Sequence, residues 1–217
     1  ELGPDGRLRR DVGPLEMSAY CRRAVAKGVE LARETGGTCT AITLGPPAAE
    51  DVLREAVAWG ADDGVLVSGP ECAGSDTLAA ARALAAAIEQ LGGFDLVLVG
   101  RNSLDADTGQ VGPTLAELVG WPFVGVAREL TFVEGGLRLH CEHDCGWRDA
   151  TVQLPAVVAC AERLCDPAKM PPDARAAVEA SRIRVLTAAD LGTGPWGDAA
   201  SRTTVGEVRA HLTTRAG

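Results

Sequence analysis

The sequence is poor in rings: four tryptophans, three phenylalanines, one tyrosine and three histidines in 217 residues. That leaves little with which to stack successive nucleic-acid bases. It also lacks any surplus of positive charge. Its 21 basic residues against 30 acidic ones give a formal charge of −9, which argues against nucleic acid or an anionic membrane surface as a partner. No apolar run is long enough to insert in a membrane. The longest, alanine-rich Leu78 to Ile88, is interrupted by Arg82 and falls well short of the ~20 residues a spanning helix needs. The opening Glu1-Leu2-Gly3-Pro4-Asp5-Gly6 has no apolar stretch of the kind that heads a signal peptide. A start without methionine is what a chain with a missing N-terminal piece would show. Seven cysteines at irregular spacing do not make a disulfide framework, so a reducing, cytoplasmic setting is expected.

What remains is ample for a folded core: 46% hydrophobic residues, with 24% charged residues of both signs. The length suits one domain with a small appendage. Excess acid is concentrated between residues 31 and 100, where three basic residues face ten acidic ones.

From about residue 15 the chain alternates helical and extended patterns. Ser18 to Glu34 has apolar Ala24, Val25, Val29 and Ala32 near helical spacing and a stop at Gly36-Gly37. Extended runs are expected at Thr38–Leu44, Gly64–Val67 and Phe94–Val99, separated by helices at Ala48–Trp59 and Asp76–Leu91. Continuous apolar strands alternating with helices predict an α/β, Rossmann-like fold: a mostly parallel sheet with helices on both faces. Phe123–Glu134, Leu137–Glu142 and Arg148–Leu154 read as added antiparallel hairpin strands, followed by an apolar strand at Pro155–Cys160. A helix at Pro172–Ala180 and a strand at Ile183–Leu186 precede a Gly/Thr/Arg-rich tail. The domain is therefore set at residues 1–191, with 192–217 an extended C-terminal arm expected to lie on a partner. Trp196, an aromatic in a polar arm, is the expected anchor there.

One segment carries chemistry. Gly100-Arg101-Asn102-Ser103-Leu104-Asp105-Ala106-Asp107-Thr108-Gly109-Gln110-Val111-Gly112-Pro113 follows the most strand-like run and precedes a helix predicted at Pro113–Val119. That is the carboxyl end of a strand in a parallel sheet, where ligands bind. Free N–H groups at the helix start favour an anion, and Gly109 and Gly112 would let a phosphate approach. Thr108 and Gln110 can donate hydrogen bonds and Arg101 supplies charge. Asp105 and Asp107 suit ribose hydroxyls, a helix cap or a hydrated Mg²⁺. The plain structural alternative is a polar turn with a capping aspartate.

The run Asp105-Ala106-Asp107-Thr108-Gly109-Gln110-Val111-Gly112-Pro113, continuing to Gly120-Trp121-Pro122, resembles the signature loop and helix of the electron transfer flavoprotein beta subunit. Further blocks in the same order resemble that family: Leu44-Gly45-Pro46 with Leu53–Asp62, then Leu154–Ala159, Asp166-Pro167 and Ala188–Gly192. The resemblance implies a heterodimer with an alpha subunit holding a redox FAD, while this chain holds AMP or a second FAD. It places the nucleotide on Arg101 to Gly112, including Ser103 and Val111, on Leu44, and on the turn Gly13-Pro14-Leu15-Glu16. It also implies a tail that wraps the alpha subunit. Two departures stand out. Family members open with a strand and turn that this chain begins after, and their Asn-Pro-aromatic turn keeps only Pro14 here. Asp166 to Arg182 resembles the segment that docks on acyl-CoA dehydrogenases, but Pro172 takes its apolar anchor position and Ala177-Val178-Glu179-Ala180-Ser181 replaces a lysine-rich stretch. A redox partner other than the usual acyl-CoA dehydrogenase is expected.

His140-Cys141-Glu142-His143-Asp144-Cys145 invites a zinc reading. On one extended strand the outer ligands would lie roughly 13 Å apart, too far for one ion, so a solvated hairpin is expected and no metal. No serine, cysteine or histidine grouping suggests a nucleophile with its base. An electron-carrier subunit is the expected function. A nucleotide-binding regulatory module and a purely structural partner on the same fold are the alternatives.

Overall fold

Helices begin where the sequence supplies an acceptor for their free N–H groups and end where it supplies glycine. Ser18 Oγ accepts from the Cys21 N–H at 3.1 Å, and Asp76 Oδ1 from the Ala79 N–H at 2.8 Å. These open α1 (Ala19–Thr35) and α3 (Thr77–Leu91), which stop at Gly36 and Gly92. The computed structural model describes residues 15–104, 106–167, 169–204 and 206. Between and after these helices come β1 (Thr40–Leu44), α2 (Glu50–Trp59), β2 (Asp63–Val67), β3 (Leu96–Gly100) and α4 (Val111–Val119). Next follow β4 (Phe123–Val133), β5 (Gly136–His143), β6 (Gly146–Gln153), β7 (Ala156–Cys160), α5 (Pro172–Ala176) and β8 (Ile183–Leu186).

The expected α/β class holds, with parallel pairing in the first part and antiparallel hairpins added to it. Among the described residues the strands form two sheets, ordered β1-β2-β8 and β3-β7-β4-β5-β6. Pairing is parallel throughout the first and from β3 through β7 to β4, then antiparallel through β5 and β6. The division into two sheets leaves β1 and β3 with one neighbour each among the described residues. β1 and β3 are edge strands and half-buried along their whole length, whereas β7 is buried at every residue. An apolar run shows that a strand forms but not how many neighbours it has.

Where β4 leaves β7, three steps of β4 (Val124 to Ala127) match two of β7 (Val158 to Cys160). The extra residue is absorbed at Val126, a β-branched residue with φ of 57°, a conformation costing about 1–3 kcal/mol. It is held by the pairings of Ala127 with Cys160 and Cys141 and by the bond from the Ala161 N–H to the Ala127 carbonyl at 2.9 Å. The core beneath this sheet joins Leu130, Leu137, Leu139, Ala156 and Val158 to Leu31 of α1. A second cluster gathers Val65, Val67, Ala83, Ala87 and Leu186.

Three arginines tie the acid-rich middle of the chain to residues 172–182. Arg54 Nη1 donates to the Val178 carbonyl at 2.7 Å, Arg175 pairs with Asp51, and Arg182 Nη2 donates to the Ala61 carbonyl at 2.8 Å. These ties draw residues 172–182 along α2, so the helix expected over Pro172–Ala180 stops at Ala176 and a 3-10 turn at Ala180–Arg182 leads into β8. Trp196 is also corrected. Its ring packs on the Val65–Val67 cluster of its own chain, so its half-buried side chain does not stand ready as an anchor for a partner. Behind it, the Asp198 N–H donates to the Ala73 carbonyl at 2.8 Å, and Asp76 Oδ2 accepts from the N–H groups of Arg202 at 2.7 Å and Thr203 at 3.0 Å.

One buried ion pair joins α1 to α2: Arg22 Nε to Glu55 Oε1 at 2.7 Å, with Glu55 2% exposed. Arg22→Ala leaves the carboxylate buried without its cation and should cost about 3 kcal/mol. Urea unfolding should show a lower midpoint at unchanged slope. An unchanged midpoint would show that the pair does not hold these helices together.

Candidate functional site

Parallel pairing sets Gly100 opposite Cys160, and the Arg101 N–H continues the ladder to the Cys160 carbonyl at 3.2 Å. The segments after β3 and β7 therefore leave the sheet side by side. The start of α1 lies directly against this end: a Cβ on Gly100 would stand 2.8 Å from the Cys21 backbone nitrogen and 2.9 Å from Tyr20. Gly100 is thus needed for helix-on-strand packing.

The loop folds back through two bonds from one side chain. Asn102 Nδ2 donates to Asp107 Oδ1 at 2.5 Å and to the Asp107 carbonyl at 3.3 Å. Asp107, at φ of 49°, takes a left-handed conformation that aspartate tolerates. Gly109 follows at φ of 61°, with Asn102 Oδ1 3.0 Å from where a Cβ would sit, so the turn excludes a side chain there.

Helix α4 begins at Val111, two residues earlier than expected, which moves Val111 and Gly112 from the loop into the first turn. Gly112 is buried, and a Cβ on it would meet Val99 at 3.0 Å and Phe123 at 3.1 Å. Its bare Cα lets the helix pack closely on the sheet, a packing reason for glycine at this position. Gln110 occupies the cap position without a side-chain bond to the first-turn N–H groups, and Asp107, one of the two aspartates open to a capping role, is turned to Asn102 instead. Because Pro113 has no N–H, the groups at the start of α4 that remain for a ligand are those of Val111 and Gly112. Thr108 and Gln110 are exposed beside them, as are Arg101 and Ser103.

Of the other expected contacts, Leu44 ends β1 and packs, half-buried, on the Val65–Val67 cluster. Leu15 packs with Ala49, Leu53 and Leu66, and Glu16 pairs with Lys169 at 2.5 Å. The hydrogen bond and charge of Lys169 hold the Glu16 carboxyl below the usual carboxylate range. Both side chains are thus engaged within the chain. Gly13, Pro14 and Asp105 lie outside the described residues.

The structure adds residues that spacing did not reveal. Tyr20 comes to the loop from the first turn of α1. Hydrogen bonding and charge from Glu162, just after β7, raise the phenol above its ordinary value, with Asp107 acting in the same direction and Arg101 against it. Thr77 Oγ1, at the first position of α3, donates to Gln110 Oε1 at 2.8 Å. Ser18 and Asp76, legible as caps, were the signals that placed the first turns holding Tyr20 and Thr77; which loop those turns would meet was not legible.

The histidine-rich hairpin is a surface ladder. His140 Nδ1 pairs with Asp149 at 2.8 Å and its ring stacks on Trp147, 4.8 Å between centroids and 9° from parallel. Arg128 lies 5.3 Å over Trp147 and bonds Glu142 at 2.7 Å. Cys141 points the other way and is buried. Among the described residues no three His, Cys, Asp or Glu side chains are grouped to hold a metal, and no helix is long and apolar enough to cross a membrane. Burial pushes the Cys160 thiol up to about 12, so it is not a thiolate near neutral pH.

A loop at the carboxyl end of a parallel strand, running into a helix with free N–H groups, is the binding arrangement of nucleotide-type α/β folds. Comparison with known proteins gives the family. The model of the electron transfer flavoprotein domain matches residues 9–190. The electron transfer subunit gamma of acryloyl-CoA reductase from Anaerotignum propionicum is 45% identical over 130 residues, 57% of this chain and 47% of that one. Subunit CarD of the caffeyl-CoA reductase-Etf complex from Acetobacterium woodii is 31% identical over 191 residues, covering 88% and 73%. The electron transfer flavoprotein subunit beta of Thermoanaerobacterium thermosaccharolyticum is 33% identical over 187 residues, covering 85% and 71%. The chain belongs to the electron transfer flavoprotein family and is of its beta-subunit type. It spans about half the length of the first of these relatives and under three quarters of the other two.

Asp76 stands next to this site and is open to test. Partial burial acts to raise its pKa, but bonds from Ala79, Arg202 and Thr203 outweigh that and hold it below the usual value. A depressed folded pKa contributes stability above the unfolded value of ~3.9 and loses it as pH falls through the folded one. Parent protein should therefore lose urea stability more steeply than Asp76→Asn between about pH 5 and 3. At neutral pH, Asp76→Ala should cost about 1 kcal/mol and speed tryptic cleavage after Arg202. Equal acid sensitivity and equal cleavage would refute the assignment.

Proposed function

We propose that this chain is the beta-type subunit of an electron-transferring flavoprotein, binding AMP or FAD at the end of β3. In that reading it supports an FAD held by an alpha-type partner in a heterodimer, which carries electrons between a dehydrogenase and an acceptor. The carrying observation is the start of α4, where among the described residues the N–H groups of Val111 and Gly112 have no side-chain cap and the donors Thr108 and Gln110 adjoin them. An anion fits that donor set, with Arg101 supplying charge. Asp107, held by Asn102, shapes the turn instead of repelling the ligand. Bound flavin supplies the redox chemistry; the residues of this chain bind, orient and shield, and make or break no bond. The carrier role rests on the relatives, whose names are those of electron transfer subunits. The charge of −9 and the reduced cysteines suit a cytoplasmic protein with no nucleic-acid partner.

The redox partner is proposed to differ from a usual acyl-CoA dehydrogenase. Pro172 offers no long apolar side chain, and Arg54, Arg175 and Arg182 bind its neighbourhood to α2 and the turn after it. The C-terminal arm, residues 192–217, is proposed to contact the alpha-type subunit.

Denaturing extraction of the complex purified with its alpha-type partner should release AMP or FAD in addition to the alpha-bound flavin. Gln110→Ala should weaken nucleotide affinity about ten- to a hundredfold, the worth of one hydrogen bond to a charged acceptor, and so lower the nucleotide recovered. A complex without flavin absorbance would sink the electron-transfer reading. Unchanged occupancy in the Gln110 variant would move the nucleotide elsewhere.

A further inference from the structure

The bond between Thr77 and Gln110 joins side chains 33 residues apart, from the first turn of one helix to the cap position of another. A threonine at the first position of a helix has no preceding carbonyl four residues back to which its hydroxyl could donate. In this structure the hydroxyl donates to Gln110 Oε1 instead. A primary amide with its oxygen occupied keeps both N–H donors on the other terminus. No other bond to the Gln110 side chain occurs among the described residues, and the residue is exposed next to the Val111 and Gly112 N–H groups.

Resting on the nucleotide reading of this loop, we infer that Thr77 is a positioning residue: its hydroxyl fixes the amide of Gln110 so that Nε2, not Oε1, is presented to an anionic ligand. The orientation matters because the two ends of the amide have opposite sense. An amide turned by half a rotation would set an acceptor oxygen against phosphate oxygens, so the unheld side chain loses part of its affinity by populating the wrong face. Thr77 is itself held in place. Asp76 before it caps α3 through Ala79 and takes the N–H groups of Arg202 and Thr203. The first turn of α3 is therefore fixed from the helix side and the tail side at once.

The test is calorimetric titration of the nucleotide-stripped complex with AMP and, separately, with FAD. Variants are Thr77→Val, Thr77→Ser, Gln110→Ala and the double Thr77→Val/Gln110→Ala. Thr77→Val keeps the shape and removes the donor, so affinity should fall about three- to tenfold. Thr77→Ser restores the donor and should stay within about twofold of the parent, a rescue that loss of packing alone would not give. The double variant should bind no more weakly than Gln110→Ala alone, because Thr77 acts only through that side chain. Parent-like binding by Thr77→Val, failure of serine to rescue, or additive losses in the double variant each overturn the positioning role. If the parent binds neither nucleotide, the reading of the loop falls and this inference falls with it. A loss in Gln110→Ala without one in Thr77→Val removes this inference alone.

Discussion

The parallel pairing of β3 with β7 is the constraint from which the site follows. Gly100 opposite Cys160 brings two chain exits to one level, and three features depend on that level. The loop from Arg101 starts there, Glu162 arrives from β7 to meet Tyr20, and the extra residue at Val126 allows Ala127 to receive the Ala161 N–H. The strain at Val126 persists because pairings on both sides of β4 determine it. A residue shift between β3 and β7 would separate all three.

Glycine plays a different part here from the one its spacing suggests. Gly100, Gly109 and Gly112 surround the loop like a phosphate cradle, yet each is required by the chain's own atoms: Tyr20 and Cys21, the turn on Asn102, and Val99 with Phe123. The donors left for an anion are backbone N–H groups and polar side chains, while the glycines let the scaffold close tightly enough to aim them. On the proposed reading, such a loop would bind through orientation.

Much of this was legible in the sequence for local reasons. Ser18 and Asp76 announced their helices through cap chemistry, Gly36, Gly92 and Gly120 closed theirs, and the hairpins followed from alternation and turn residues. What was not legible depends on partners distant in the chain. Strand-like Leu96–Gly100 could not say that it pairs on one edge only among the described residues. Pro172–Ala180 carried a helical pattern but not the distant ties, Arg54 to the Val178 carbonyl and Arg182 to the Ala61 carbonyl, that draw the segment along α2. Gln110 stood out as a donor, whereas Thr77, which holds it, carried no mark beyond following a cap. The family resemblance located the loop; the geometry separated its ligand-facing donors from its packing glycines.

The central claim is that an anion is held by the free N–H groups at the start of α4. Amide chemical shifts of nitrogen-labelled protein, followed during titration with AMP, test it most directly. The account predicts saturable shifts largest at Val111 and Gly112 and at the Gln110 side-chain amide, with the hairpin tip at Cys145-Gly146 unmoved. Saturable shifts that leave Val111 and Gly112 unchanged would contradict it.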